Sequence, residues 1–172
     1  MKKTRLLAML LFLSTVLSSC LFFNNDTDIL TLRIVMQNRF DKDTWVVFCQ
    51  HELRNRPDSL TAYAFCGGSQ LQKMTESLTY NYDSICEIKN GSFRMCYFSY
   101  GYGADVSWRE HFQISQIDSI CILTFNSHND ASEWIRMRNN SLLNKKFSYS
   151  LADIDVEYSN WTIELKGEKE SE

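Results

Sequence analysis

The sequence predicts a mainly β domain: an antiparallel β-sandwich of immunoglobulin-like or related type, with one short helix near residues 130–138. Three observations predict it. Residues 29–37 alternate, with Leu30, Leu32, Ile34 and Met36 on one face and Thr31 and Arg33 on the other, the period of a half-buried strand. Further strand-like stretches at 44–50, 60–66, 84–88, 93–100 and 119–125 are separated by turn-prone sequence such as Arg54-Asn55-Arg56-Pro57-Asp58 and Asn90-Gly91. Against these stands a single helical signal. Asp130-Ala131-Ser132-Glu133 has capping-box spacing, Trp134, Met137 and Arg138 follow at helical intervals, and Asn139-Asn140 ends the run. One helix cannot cover both apolar faces of so much sheet, which favours two sheets packed on each other. An open antiparallel sheet with the helix on one face is the alternative.

Strands 84–88 and 93–100 flank Asn90-Gly91 and should pair as a hairpin, with Ile88 opposite Phe93 and Cys86 one residue out of register with Cys96. A short turn starts at Ser150, with Asp153 three residues on, and 161–165 closes the chain as a strand. Trp134, Phe147, Leu151 and Trp161 are spaced to pack together on Ile120, Ile122 and Phe125.

Ahead of this domain lies a secretory signal, residues 1–19. Lys2, Lys3 and Arg5 supply the positive start and residues 6–17 an uncharged apolar run. That run is too short to span a bilayer, which takes about 20 apolar residues. Leu17-Ser18-Ser19-Cys20 resembles the lipobox of bacterial prolipoproteins, which implies lipidation of Cys20 as the first mature residue. Residues 20–28 then form a tether reaching at most about 25 Å, so the 29–165 domain sits close to the membrane. The tail at 166–172 is charged and reads as disordered.

Removing the signal takes the formal charge from −3 to about −6. Nucleic acid is therefore excluded as a partner, since a phosphate backbone needs clustered Lys and Arg and the longest basic run is Lys145-Lys146. No cofactor is implied. Of the six cysteines, Cys20 is assigned to lipid, which leaves five in an oxidising compartment. Cys49, Cys66, Cys86 and Cys96 are the disulfide candidates in undetermined pairing, and Cys121, in the most apolar strand, is the expected leftover.

Chemistry-bearing residues are sparse. Cys49 and His51 share a strand face, an arrangement suited to an activated thiolate or zinc, yet no further ligand stands at the required spacing, so no metal site is expected. Asp105, His111, Ser107 and Ser115 contain the residue types of a catalytic triad without a nucleophile-elbow motif. The aromatic belt from Tyr97 to Tyr102 is more suggestive. Tyr100 and Tyr102 stand beside Gly101 and Gly103, and with Trp108 they could stack on a sugar ring or a peptide. The plainer reading is a strand end with half-buried tyrosines.

The second half carries a resemblance. Asp118-Ser119-Ile120-x-Ile122-x-x-Phe125, Trp134, Arg138, Leu143, the run Lys146-Phe147-Ser148-Tyr149-Ser150-Leu151-Ala152-Asp153-Ile154 and Trp161-Thr162-Ile163 are similar to a group of uncharacterised small lipoproteins of Bacteroides and its relatives. The five mature cysteines and a longer stretch between Ile154 and Trp161 depart from that pattern. The resemblance implies an envelope location at the outer membrane, with the periplasmic face favoured because Leu21-Phe22-Phe23-Asn24-Asn25 lacks an acidic export cluster. It implies no activity. The functional expectation is a lipid-anchored, non-enzymatic accessory or binding module contacting an envelope protein or glycan. The rivals are an envelope hydrolase or thiol enzyme and a structural subunit of a lipoprotein complex.

Overall fold

Alternation of apolar and polar side chains builds the strands, and a computed structural model describes them over residues 31–53, 60–66, 69–74, 83–99, 107–154 and 160–167. In chain order these hold β1 (Thr31–Asn38), β2 (Thr44–Glu52), β3 (Leu60–Cys66), β4 (Gln70–Lys73), β5 (Cys86–Ile88) and β6 (Phe93–Ser99). Helix α1 (Trp108–Ile114) follows, then β7 (Ile117–Phe125), α2 (His128–Met137), β8 (Lys145–Ser150) and β9 (Asn160–Leu165). Single 3₁₀ turns occupy Asn140–Leu142 and Leu151–Asp153, the second with the Ser150/Asp153 capping expected there.

The domain is mainly β, but its strands form one nine-stranded mixed sheet rather than two packed antiparallel ones. The order is β8-β7-β2-β3-β4-β6-β1-β9, with β5 attached to β2. Two pairings are parallel, β1 with β9 and β4 with β6. The sheet curls until its ends nearly meet. Tyr149 of β8 and Trp161 of β9 touch edge to face at 4.9 Å, so ring contact joins strands that share no ladder. Curling buries one face of the sheet without a second sheet, which is why the sandwich expectation fails.

The two faces have separate cores. Inside lie Ile34 and Met36 of β1, Val46 and Phe48 of β2, Phe98 of β6 and Ile120 and Ile122 of β7. Helix α1 plugs this interior with Trp108 and Phe112. Its start is a capping box in which Ser107 accepts from the Glu110 N–H and Glu110 accepts from the Ser107 N–H at 2.7 Å. Outside, Val47, Cys49, Cys121, Leu123 and Phe125 are covered by Ala131 and Trp134 of α2. The expected single cluster is thus divided: Trp134 packs with Phe125 outside, whereas Phe147, Leu151 and Trp161 pack inside with Ile120 and Ile122.

The predicted hairpin is also corrected. Asn90-Gly91 does turn, with Gly91 at φ +70° and the Ser92 N–H bonded to Lys89 O at 2.9 Å, but β5 leaves it to pair with β2 while β6 pairs with β1 and β4. Asn38 holds that corner open. Its buried carboxamide donates to the Lys42 and Ile88 carbonyls, both at 2.9 Å, and accepts from the Phe40 N–H. The helix expected near 130–138 is present two residues earlier, capped by Ser127, whose hydroxyl accepts from the Asp130 N–H.

Candidate functional site

Helix α2 packs on the outer face against β2 and β7. Beside it a cavity of about 690 Å³ opens, within the size range of small-molecule sites. Cys121 and Leu123 of β7 form its floor, Trp134 and Leu143 wall it, and Arg138 and Lys146 stand at its rim. The strand period places these groups: Lys146 lies opposite Leu123 and Ser148 opposite Cys121 in the β7–β8 ladder, both on the outward face. The Cys121 thiol lies 3.6 Å from the Ser148 hydroxyl and 3.9 Å from that of Ser119.

The wall is held by a chain of contacts. The Trp134 indole N–H donates to Asn140 Oδ1 at 3.1 Å, and its ring lies 6.0 Å from that of Phe125. The Arg138 guanidinium sits 4.5 Å above the indole, within cation–π range. Arg138 ends α2 in the left-handed region at φ 56°, its N–H bonded to Trp134 O at 2.7 Å. Glycine or asparagine usually occupies such a cap, and another residue there costs about 1 kcal/mol. Backbone strain is therefore held at the cavity rim.

Opposite this wall, the β2–β7 ladder shifts register between His51 and Glu52. Asp118 is the extra residue, and the bulge turns it toward the face carrying Ser119. His51 Nδ1 accordingly meets Asp118 Oδ2 at 3.2 Å, while Ser119 is the partner of His51 across the ladder. His51 and Ser119 both line the cavity. The spacing of Cys49 and His51 did place them on one face, but Cys49 is fully buried, and burial pushes its thiol up to about 12, leaving no thiolate at neutral pH.

Several sequence candidates lie elsewhere. Trp108 is no surface contact: it is fully buried inside the curled sheet, 5.9 Å from Trp161 and 6.3 Å from Phe98, because it opens the helix that plugs that interior. Tyr100, Tyr102, Asp105 and Cys20 lie outside the described residues. His111 also points inward. Gln50 Nε2 and His111 Nε2 lie within hydrogen-bond distance at 2.9 Å, and burial pushes the ring's pKa down to about 4. Ser107 caps the start of α1 and Ser115 its end.

The disulfide expectation meets the same fate. Cys49, Cys66, Cys86, Cys96 and Cys121 are all free and buried. Cys49 faces Ala62, so Cys66 lies four residues further along β3, about 13 Å away and beyond the ~7 Å a disulfide spans. Cys86 and Cys96 stand on strands that do not pair with each other. Cys121, the expected leftover, is instead the direct cross-strand partner of Cys49. Among the described residues no cluster of His, Cys, Asp and Glu could hold a metal ion, and no helix is long and apolar enough to cross a membrane.

The fold and site define a curled-sheet domain with an apolar, cation-rimmed cavity on its outer face. A scan of family models finds no match, and searches of curated proteins and solved structures find none either.

Proposed function

We propose that the chain is a lipid-tethered envelope protein, of the small Bacteroides-type lipoprotein group, whose β domain is a non-enzymatic binding module. Cys20 carries the lipid, the outer membrane is the anchor, and the domain faces the periplasm close to the bilayer. The observation that carries the binding role is the outer-face cavity, apolar in floor and wall and polar at its rim. The lipobox and short tether support the location. Two measurements test the reading together. Intact mass of the mature protein should show acylated Cys20 as residue one, and envelope glycan, peptide and lipid fractions should include one retained by the wild-type protein but not by Leu60→Trp, which fills the cavity. A free amino-terminal thiol, or retention untouched by the filled cavity, sinks it.

A hydrolase reading has one specific observation in its favour, the bulge that gathers His51, Asp118 and Ser119 at the cavity mouth. Ester hydrolysis lost in both Ser119→Ala and His51→Gln, with ligand retention intact, would favour it over pure binding.

A further inference from the structure

We propose that the outer-face cavity is a site for small amphipathic anions, with Arg138 and Lys146 taking the anionic headgroup and Trp134, Leu123 and Leu143 taking the apolar body. This rests on the binding-module reading and names its ligand class. The argument begins with charge. In a chain of formal charge −3, two cations flank one mouth and no Asp or Glu lines the cavity. Neither Arg138 nor Lys146 forms an ion pair among the described residues, although Arg39, Lys73, Lys89 and Lys166 all do. Asp118, the carboxylate at the His51 rim, is engaged by that histidine at 3.2 Å.

The second line is placement. Arg138 is exposed at the end of α2, in the left-handed conformation, with its guanidinium over the Trp134 ring. That stacking fixes the flat face of the guanidinium and leaves its N–H edge for a carboxylate or phosphate oxygen. Lys146 approaches from β8 across the floor, and the fields of both cations reach the buried Cys49 thiol below it. Apolar floor and wall with two unneutralised donors at one side match a ligand with an apolar body and one anionic end. A free aryl or acyl carboxylate and a membrane lipid headgroup share that chemistry.

The test uses the full lipidated chain in phosphatidylcholine nanodiscs, titrated calorimetrically with naphthoate and with naphthamide, its neutral counterpart. Naphthoate should bind at least tenfold tighter, and high salt should remove most of the difference. Arg138→Asn, which keeps a residue tolerant of the left-handed cap, and Lys146→Gln should each weaken naphthoate roughly tenfold and leave naphthamide unchanged. Equal binding of both probes, abolished by Leu60→Trp, overturns the anion assignment while leaving the binding cavity in place. Binding unaffected by Leu60→Trp overturns both. Native mass spectrometry with added phosphatidylglycerol separates the sources: an adduct that depends on Arg138 and Lys146 identifies a lipid headgroup, and naphthoate binding without that adduct identifies a free amphiphile. The wild-type comparison of charged and neutral probes needs no variant to fold.

Discussion

Trp134→Ala should destabilise the domain more than any other single change on its outer face. Trp134 is 2% exposed, contacts the Phe125 ring, lies under Arg138 and donates to Asn140. Truncating a buried tryptophan to alanine costs about 3–5 kcal/mol through lost transfer energy and the cavity left behind. The indole hydrogen bond contributes about 1 kcal/mol of that, and Asn140→Ala alone should cost a similar amount. Urea unfolding of the two single variants and the double variant gives a cycle with a coupling of about 0.5–1.5 kcal/mol. Phe125→Leu, a smaller loss at the same contact, should cost about 1–2 kcal/mol. If Trp134→Ala lowers stability by less than about 1 kcal/mol with an unchanged urea slope, α2 does not pack on the outer face and the cavity wall is misplaced.

His111 is held down to about 4 by burial, against about 6.5 unfolded, so the unfolded state binds more protons between these values. Stability should be full above pH 6.5 and fall by up to about 3 kcal/mol as pH drops toward 4; His111→Gln should flatten that slope in a series of melts, and an unchanged slope would refute the assignment. All five described thiols should resist alkylation in the folded protein and all should react in denaturant without reductant, as read by intact mass; missing alkyl groups would reveal a bridge. Ser107→Ala removes the α1 cap and should cost about 1 kcal/mol, whereas no change would mean that the plug does not depend on its capping box.

The sequence made the local periodicities legible, and it did so where one face was buried and the other wet. The alternation of 29–37 became β1, and 60–66 is β3 at its expected bounds. The apolar stretch around Cys121 became β7, buried on both faces because α2 covers one and the interior the other. Helix α1 has a local signature of its own. Ser107 and Glu110 have capping-box spacing, and Trp108, His111 and Phe112 follow a helical stripe, but the aromatic run before them has the pattern of a strand end and masks it. β8 hid for a related reason: Phe147 and Tyr149 alternate with Ser148, but the stretch is short and half exposed.

Long-range pairing was not legible. Nothing local in residues 160–165 specifies a parallel partner in β1, where Arg33 stands opposite Asn160 from the far end of the domain, and nothing near Asn90-Gly91 reveals that Asn38 will hold β5 away from β6. The cavity has the same origin. His51, Ser119, Arg138 and Lys146 come from three strands and one helix end, and only the β2–β7–β8 ladder brings them to one face. The bulge at Asp118 leaves no signature in composition.

The most direct test of the tethered binding module is recovery of its native occupant. Wild-type and Leu60→Trp proteins would be purified in parallel from native membranes and their extracted small molecules compared by mass spectrometry. The account predicts an amphipathic anion enriched with the wild type and lost from the filled variant; identical extracts from both would contradict it.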